Sequence, residues 1–165
     1  MLLQSMIASI GVDIVQISRI HKLYLRYGDR FLKKAFHGKE INAFKQKQSQ
    51  NVDQSIRFLA GRCCSLQEIK MHQTKRKKKF RWAAKEATYK ALKSNSPLSN
   101  EDQRIPFPQI LVSNRQNGSP QILFEDEVER IAQSLKVNQK QISLSISHEQ
   151  DYAVAFVVLQ SNLDG

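Results

Sequence analysis

Little in this chain can cross-link it or hold a soft metal. Two of its 165 residues are cysteine, and they are neighbours, Cys63 and Cys64. Adjacent cysteines are poorly placed for a structural disulfide, and no second Cys or His pair stands at zinc-ligand spacing, so a reducing compartment and no zinc are expected. Long apolar runs are missing too. No stretch could span a bilayer, and Met1-Leu2-Leu3-Gln4-Ser5-Met6 is too short for a secretory signal, so a soluble protein with no membrane role is expected. No internal repeat is evident, and the length suits one domain with a limited core over residues 1–165. Acidic residues are also scarce, 15 against 26 lysines and arginines, for a formal charge of +11.

That charge is uneven. Residues 63–81 carry Lys70, Lys75, Arg76, Lys77, Lys78, Lys79 and Arg81 against Glu68 alone, more than half of the excess. By itself the Lys75–Lys79 run suits a nucleic-acid patch, a targeting signal or a solvated loop, the last being the commonest outcome. The aromatic motifs of RNA-binding modules are absent, which speaks against a nucleic-acid partner.

What is present follows a clear order. Ile7 to Val15 is rich in β-branched residues, and alternation puts Ile10, Val12 and Ile14 on one side of a strand and Asp13 on the other. The period turns helical at Ile17, Ile20, Leu23 and Tyr24, with Arg19, Lys22 and Arg26 opposite and Gly28-Asp29 as a stop. A second helical patch covers Lys39 to Gln46, and Ile56-Arg57-Phe58-Leu59-Ala60 starts another helix. Ser94-Asn95-Ser96-Pro97 breaks the helix around Glu86, and Pro106 and Pro108 forbid another. Two short strands, Gln109–Val112 and Gln121–Phe124, then flank Asn117-Gly118, a pair suited to hairpin turns because both residues tolerate positive φ. Val128, Ile131, Ala132 and Leu135 mark an amphipathic helix. Ile142, Leu144 and Ile146 alternate with Ser143, Ser145 and Ser147, and Tyr152 to Leu159 has the apolar run of a central strand. Strand, helices, then mostly strands predict an α+β fold rather than a doubly wound parallel sheet.

Three positions carry chemistry. Glu86 and Lys90 stand one helical turn apart in Trp82-Ala83-Ala84-Lys85-Glu86-Ala87-Thr88-Tyr89-Lys90-Ala91, so both can reach one ligand. An isolated Glu-x-x-x-Lys is usually a surface salt bridge; beside a second carboxylate it suits a phosphate held through a metal. Asp13 stands among aliphatic residues, where a carboxylate is costly unless paired, hydrogen-bonded or bound to a cation. A capping or turn role would also satisfy it. His148, after Ser147, closes a strand before a turn, a place where surface histidines are common. If Asp13 and Glu86 converge, they form a hard oxygen site suited to Mg²⁺ completed by substrate phosphate.

Four segments together resemble the holo-acyl-carrier-protein synthase family of 4'-phosphopantetheinyl transferases: Ile10–Val15, Phe58-Leu59-Ala60-Gly61-Arg62, Trp82-Ala83-Ala84-Lys85-Glu86-Ala87 and Ser145–Ala155, in that order, with the Asn117-Gly118-x-Pro120 hairpin between. The resemblance covers most of the chain. It implies that family's fold, a small antiparallel sheet packed against helices, and transfer of the phosphopantetheine arm from coenzyme A to a serine of apo acyl carrier protein, releasing adenosine 3',5'-bisphosphate. It further implies Asp13 and Glu86 as Mg²⁺ ligands, Glu86 and Lys90 as catalytic residues, and Lys90, Ser147 and His148 as coenzyme A contacts. Arg19 and Arg26 would dock the acidic carrier protein. The resemblance also implies a homotrimer with active sites at subunit interfaces. No single residue is assigned as general base.

Two departures from the family pattern stand out. Residues 63–81 intervene where the family runs directly from Gly-Arg into an aromatic followed by Ala-Ala-Lys-Glu-Ala, so a basic insertion in the central helix is expected. An inactive, insertion-disrupted paralogue that binds carrier protein or coenzyme A without transfer is the alternative function. At Lys93–Pro97 the family's glycine-rich loop is missing. A motif interrupted in the way misjudged splicing leaves it points to a eukaryotic gene and a mitochondrial carrier protein. The short stretch before the first strand leaves little room for a transit peptide, so the cytoplasm is the alternative.

Overall fold

The computed structural model describes residues 5–48, 81–94, 104–149 and 151–162. The expected helix from Ile56, residues 63–80 of the expected insertion and the break at 95–97 lie outside them. Strand β1 (Ser5–Gln16) leads into helix α1 (Ile17–Ala35), then α2 (Gly38–Gln48) and α3 (Trp82–Ser94). A turn of 3-10 helix (Phe107–Gln109) precedes the hairpin β2 (Ile110–Asn114) and β3 (Pro120–Phe124), and α4 (Asp126–Ser134), β4 (Val137–Glu149) and β5 (Tyr152–Asn162) complete the order. The strands form a three-stranded antiparallel sheet, β1-β5-β4, and the separate β2-β3 pair. The α+β expectation holds. No helix among the described residues is long and apolar enough to cross a membrane.

Strand β5 is central, as its apolar run predicts, with Ala153, Ala155, Val157 and Leu159 buried beneath α3. Alternation in β4 also holds: Ile142, Leu144 and Ile146 turn inward and the three serines outward. On β1 the pairing Asp13↔Ala155 puts Asp13 on the inner face with Gly11 and Val15, and Ile10, Val12 and Ile14 on the outer one. That outer face is exposed: Ile10, Val12, Ile14, Tyr152 and Phe156 lie side by side, each 43–65% accessible.

Three local details differ from the sequence pattern. Helix α1 breaks at Gly28, at φ 50° and ψ −133°, then resumes to Ala35, because Leu32 and Ala35 beyond the break bury fully in the core. The β2-β3 hairpin turns through five residues, with Gly118 at φ 80°. Asn117 stays out of the left-handed region and accepts Ser119 N–H at 2.9 Å through Oδ1, an Asx-type turn.

Helix α3 lies on β1 and β5 through alanines. Ala83, Ala84, Ala87 and Ala91 are fully buried, and Trp82 anchors the first turn against Phe31, Phe36 and Phe107 at centroid distances of 5.5–5.9 Å. Its other buried side holds charge. The Lys85 ammonium donates to Phe107 O (2.8 Å), to Ile110 O and to Glu40 Oε2 (2.9 Å), and Arg81 Nη1 lies 3.4 Å from Glu40 Oε1. All three side chains are 0–3% exposed; burial lowers the Lys85 and Arg81 pKa values, and Glu40 opposes that. Glu40 also closes the N-terminus of α2. Its Oε2 accepts His37 N–H at 2.8 Å while His37 Nδ1 accepts Lys39 N–H at 3.0 Å, a reciprocal cap. With Nδ1 accepting, Nε2 carries the hydrogen that is donated to Glu125 at 2.9 Å.

Gly11 sets how closely β1 and α3 approach. A Cβ there would collide with the Ala87 carbonyl and lie 2.9 Å from the Ala91 nitrogen, both backbone. Gly11→Ala is therefore expected to cost about 3 kcal/mol or more. In a chain of this size that lowers the melting temperature by roughly 6–12 °C, measured by circular dichroism.

Candidate active site

Asp13 follows Gly11 by two residues and so shares its inward face, directly beside the exposed flank of α3. There the Lys90 ammonium donates to Asp13 Oδ1 at 2.8 Å and to Val12 O at 3.0 Å. This ion pair spans strand and helix rather than running along the helix to Glu86. Asp13 is largely covered, its side chain 13% exposed, whereas Lys90 is half exposed and able to turn to a ligand.

Glu86 completes the group. Partial burial raises its pKa first, the Asp13 carboxylate raises it further, and Lys90 and Arg19 oppose. Two carboxylates and two cations thus act on one another around a single spot. Among the described residues no group of three His, Cys, Asp or Glu side chains could hold a metal, so a zinc-type cage is not built here. Two mutually repelling carboxylates fit Mg²⁺, which keeps several waters and takes further oxygens from a bound phosphate.

The other expected residues fall elsewhere. Arg19 lies at the start of α1 within electrostatic reach of Glu86, while Arg26, two turns on, is exposed and stacks 5.1 Å over the Tyr27 ring. Ser147 and His148, on β4, pair with Val154 and Ala153 of β5, and β5 lies between them and β1. They lie two strands from Asp13, about 10 Å across the sheet. Ser147 is exposed on the outer face and His148 is half-buried on the inner one. One chain therefore assembles Asp13, Glu86, Lys90 and Arg19, and leaves Ser147 and His148 apart. A cavity of about 820 Å³ between the hairpin, α4 and β4, lined by Arg115, Glu129, Lys136 and Lys140 among others, shares no residue with this group. The carboxylate cluster forms a wall where β1 meets the α3 flank, with the Asp13 and Lys90 side chains 13% and 51% exposed among the described residues.

Sequence patterns missed Glu40, Arg81 and Lys85. Lys85 precedes Glu86 in the same helix yet is fully buried, and its partner Glu40 is 45 positions away, beyond any local signal.

Known proteins resemble this chain over nearly its whole length. The sequence profile described as "4'-phosphopantetheinyl transferase superfamily" matches residues 9–157. The holo-[acyl-carrier-protein] synthase of Ehrlichia chaffeensis is 37% identical over 158 residues, covering 96% of this chain and all of that one. That of Halothermothrix orenii is 32% identical, covering 93% and 97%. Among solved structures, the Plasmodium yoelii holo-ACP-synthase superposes with a TM-score of 0.66 at 21% identity over 96% of this chain and 98% of that one, a likeness of fold. The Helicobacter pylori holo-[acyl-carrier-protein] synthase in complex with coenzyme A gives a TM-score of 0.59 at 28% identity, covering 91% and 98%.

Because its folded pKa is raised, Glu86 holds its proton more tightly in the native state than in the unfolded chain. Stability then falls as pH rises through the carboxylate range and Glu86 ionises. Glu86→Gln is expected to melt above the parent at pH 7 without added divalent cation. The difference should shrink to nothing below about pH 4, where the unfolded carboxylate is itself protonated.

Proposed function

The chain belongs to the 4'-phosphopantetheinyl transferase superfamily, within its holo-[acyl-carrier-protein] synthase branch, and on that footing we propose that it transfers 4'-phosphopantetheine from coenzyme A to a serine of apo acyl carrier protein. The observation that carries the assignment of residues is the meeting of Asp13 and Glu86 at the α3 flank, where Asp13 pairs with the half-exposed Lys90 at 2.8 Å and its carboxylate acts on Glu86. Asp13 and Glu86 hold Mg²⁺. When bound, the ion supplies charge neutralisation at the coenzyme A diphosphate. Lys90 gives up Asp13 for the diphosphate oxygens and stabilises charge on the leaving side. The serine Oγ forms a bond to the phosphorus of the pantetheine arm, the bond to the bridging diphosphate oxygen breaks, and adenosine 3',5'-bisphosphate leaves. The serine proton passes to a base that is not assigned to one side chain. Arg19 and Arg26, exposed on α1, attract the acidic carrier protein and bring its serine to the site.

The active form is a homotrimer. Its support is the outer sheet face, where Ile10, Val12, Ile14, Tyr152 and Phe156 form a contiguous apolar patch of the kind that soluble monomers seldom leave open. In that trimer Ser147 and His148, which stand away from Asp13 in their own chain, serve the nucleotide end of a neighbour's site.

Labelling of an apo carrier protein by a fluorescent coenzyme A tests the reaction. Labelling should require Mg²⁺, and Glu86→Ala should lower kcat by about 10²–10³-fold. Arg26→Glu, two turns from the site, should raise KM for the carrier protein while leaving KM for coenzyme A unchanged. Tight binding of coenzyme A with no labelling by the parent chain would identify a non-catalytic binding protein instead. For the trimer, analytical ultracentrifugation of the parent should give three times the chain mass. Phe156→Glu should shift it to one chain and remove labelling, and a parent that sediments as a monomer while still labelling would rule the trimer out.

A further inference from the structure

Lys85 and Glu86 are consecutive in α3 and so point to different sides, about 100° apart. Glu86 lies on the flank shared with Asp13 and Lys90. Lys85 points into the protein, and its three N–H groups meet three acceptors, Phe107 O at 2.8 Å, Glu40 Oε2 at 2.9 Å and Ile110 O. Glu40 is held as firmly, accepting His37 N–H at 2.8 Å and Val112 N–H at 3.3 Å, with Arg81 at 3.4 Å. Four groups, from three stretches of the chain, thus converge on one carboxylate.

Buried ion networks are weak devices for stability, since apolar residues of similar volume often do as well or better. They do impose direction. Beyond the Trp82 anchor in its first turn, α3 meets the sheet through alanine against Gly11, small side chains that do little to key the middle of the helix against rotation about its axis. A helix with side chains is about 5–6 Å in radius, so a roll of about 20° moves a carboxylate by roughly 2 Å. Displacement of about 1 Å can cost about 10²-fold in rate. Successive helical residues are about 100° apart, so pinning the Lys85 ammonium fixes where Glu86 and Lys90 point.

We infer that Glu40 and Lys85 are positioning residues for transfer: their buried pair sets the roll of α3 that brings Glu86 and Lys90 to Asp13, with Arg81 steadying Glu40. The inference rests on the assignment of Asp13 and Glu86 to the active site. Neither residue of the pair touches substrate.

Glu40→Asp keeps the charge balance but shortens the arm by one methylene. In the carrier-labelling assay it should lower kcat by about 10–100-fold, with KM for coenzyme A and for carrier protein within threefold of the parent. A residue that merely supports the fold would leave kcat per folded molecule unchanged. A second variant, Glu40→Met with Arg81→Met and Lys85→Met, replaces the network by apolar side chains and removes dependence on the folding of the first. It leaves the backbone groups of His37, Phe107, Ile110 and Val112 without these side-chain partners, so it should melt below the parent while showing the same loss in kcat per folded molecule. Either folded variant retaining kcat within twofold of the parent, or losing activity only in proportion to unfolded protein, overturns the inference. Glu86→Ala is assayed alongside. Parent-like turnover in that variant would overturn the active-site assignment itself, a result separate from the other two.

Discussion

The contact between the backbone of β1 and the backbone of α3 at Gly11 governs how near a strand carboxylate can come to a helix carboxylate. No side chain intervenes there, so the helix settles onto the sheet closely enough for Lys90 to reach both Val12 O and Asp13. Gly11 and Asp13 share a face because strand alternation repeats every two residues. The same closeness lets Asp13 add to the burial that raises the Glu86 pKa. A larger residue at position 11 would separate the charges and relax that strain, and with it the affinity for a cation.

Two sets of charges on α3 follow opposite rules. The Glu40, Arg81 and Lys85 set is closed, saturated with donors and acceptors and withdrawn from water. The Asp13, Glu86 and Lys90 set is half open, and Lys90 and Arg19 only partly offset the repulsion between its carboxylates. The first orders the helix; the second keeps a residual repulsion that a cationic ligand can relieve. Proteins commonly place local destabilisation where binding relieves it.

Much of this was legible in the sequence. The order of elements, the amphipathic face of α4, the alternation of β4 and the side of β1 taken by Asp13 all follow from periodicity, because each depends on residues close in the chain. Less legible was which side of β1 is interior. The β-branched trio Ile10, Val12 and Ile14 would ordinarily mark the buried side, but an alanine-faced helix requires the small residue, Gly11, to face it. Lys85 had no signal at all, since a lysine between alanine and glutamate on a helix resembles a surface residue and its acceptors come from distant segments. Arg81 illustrates a boundary that composition cannot place. Removing residues 63–81 or 62–80 leaves the same sequence, with an arginine before Trp82 in each case. In the folded chain that arginine is Arg81, buried against Glu40.

The central place of β5 bears on how the chain is made. Strand β1 has one neighbour in the sheet, and that neighbour is the last strand in sequence, so Ser5 is paired by Asn162. At roughly 5–20 residues per second, a ribosome needs about 7–30 s between completing the first strand and starting the last. Throughout that interval Ile10, Val12 and Ile14 emerge with no sheet partner, and α3 has half of its floor missing. The pairing that seats β1, and with it half of the floor beneath α3, can therefore form only once the last strand has been made, so the meeting of Asp13 with the helix is a late step of folding.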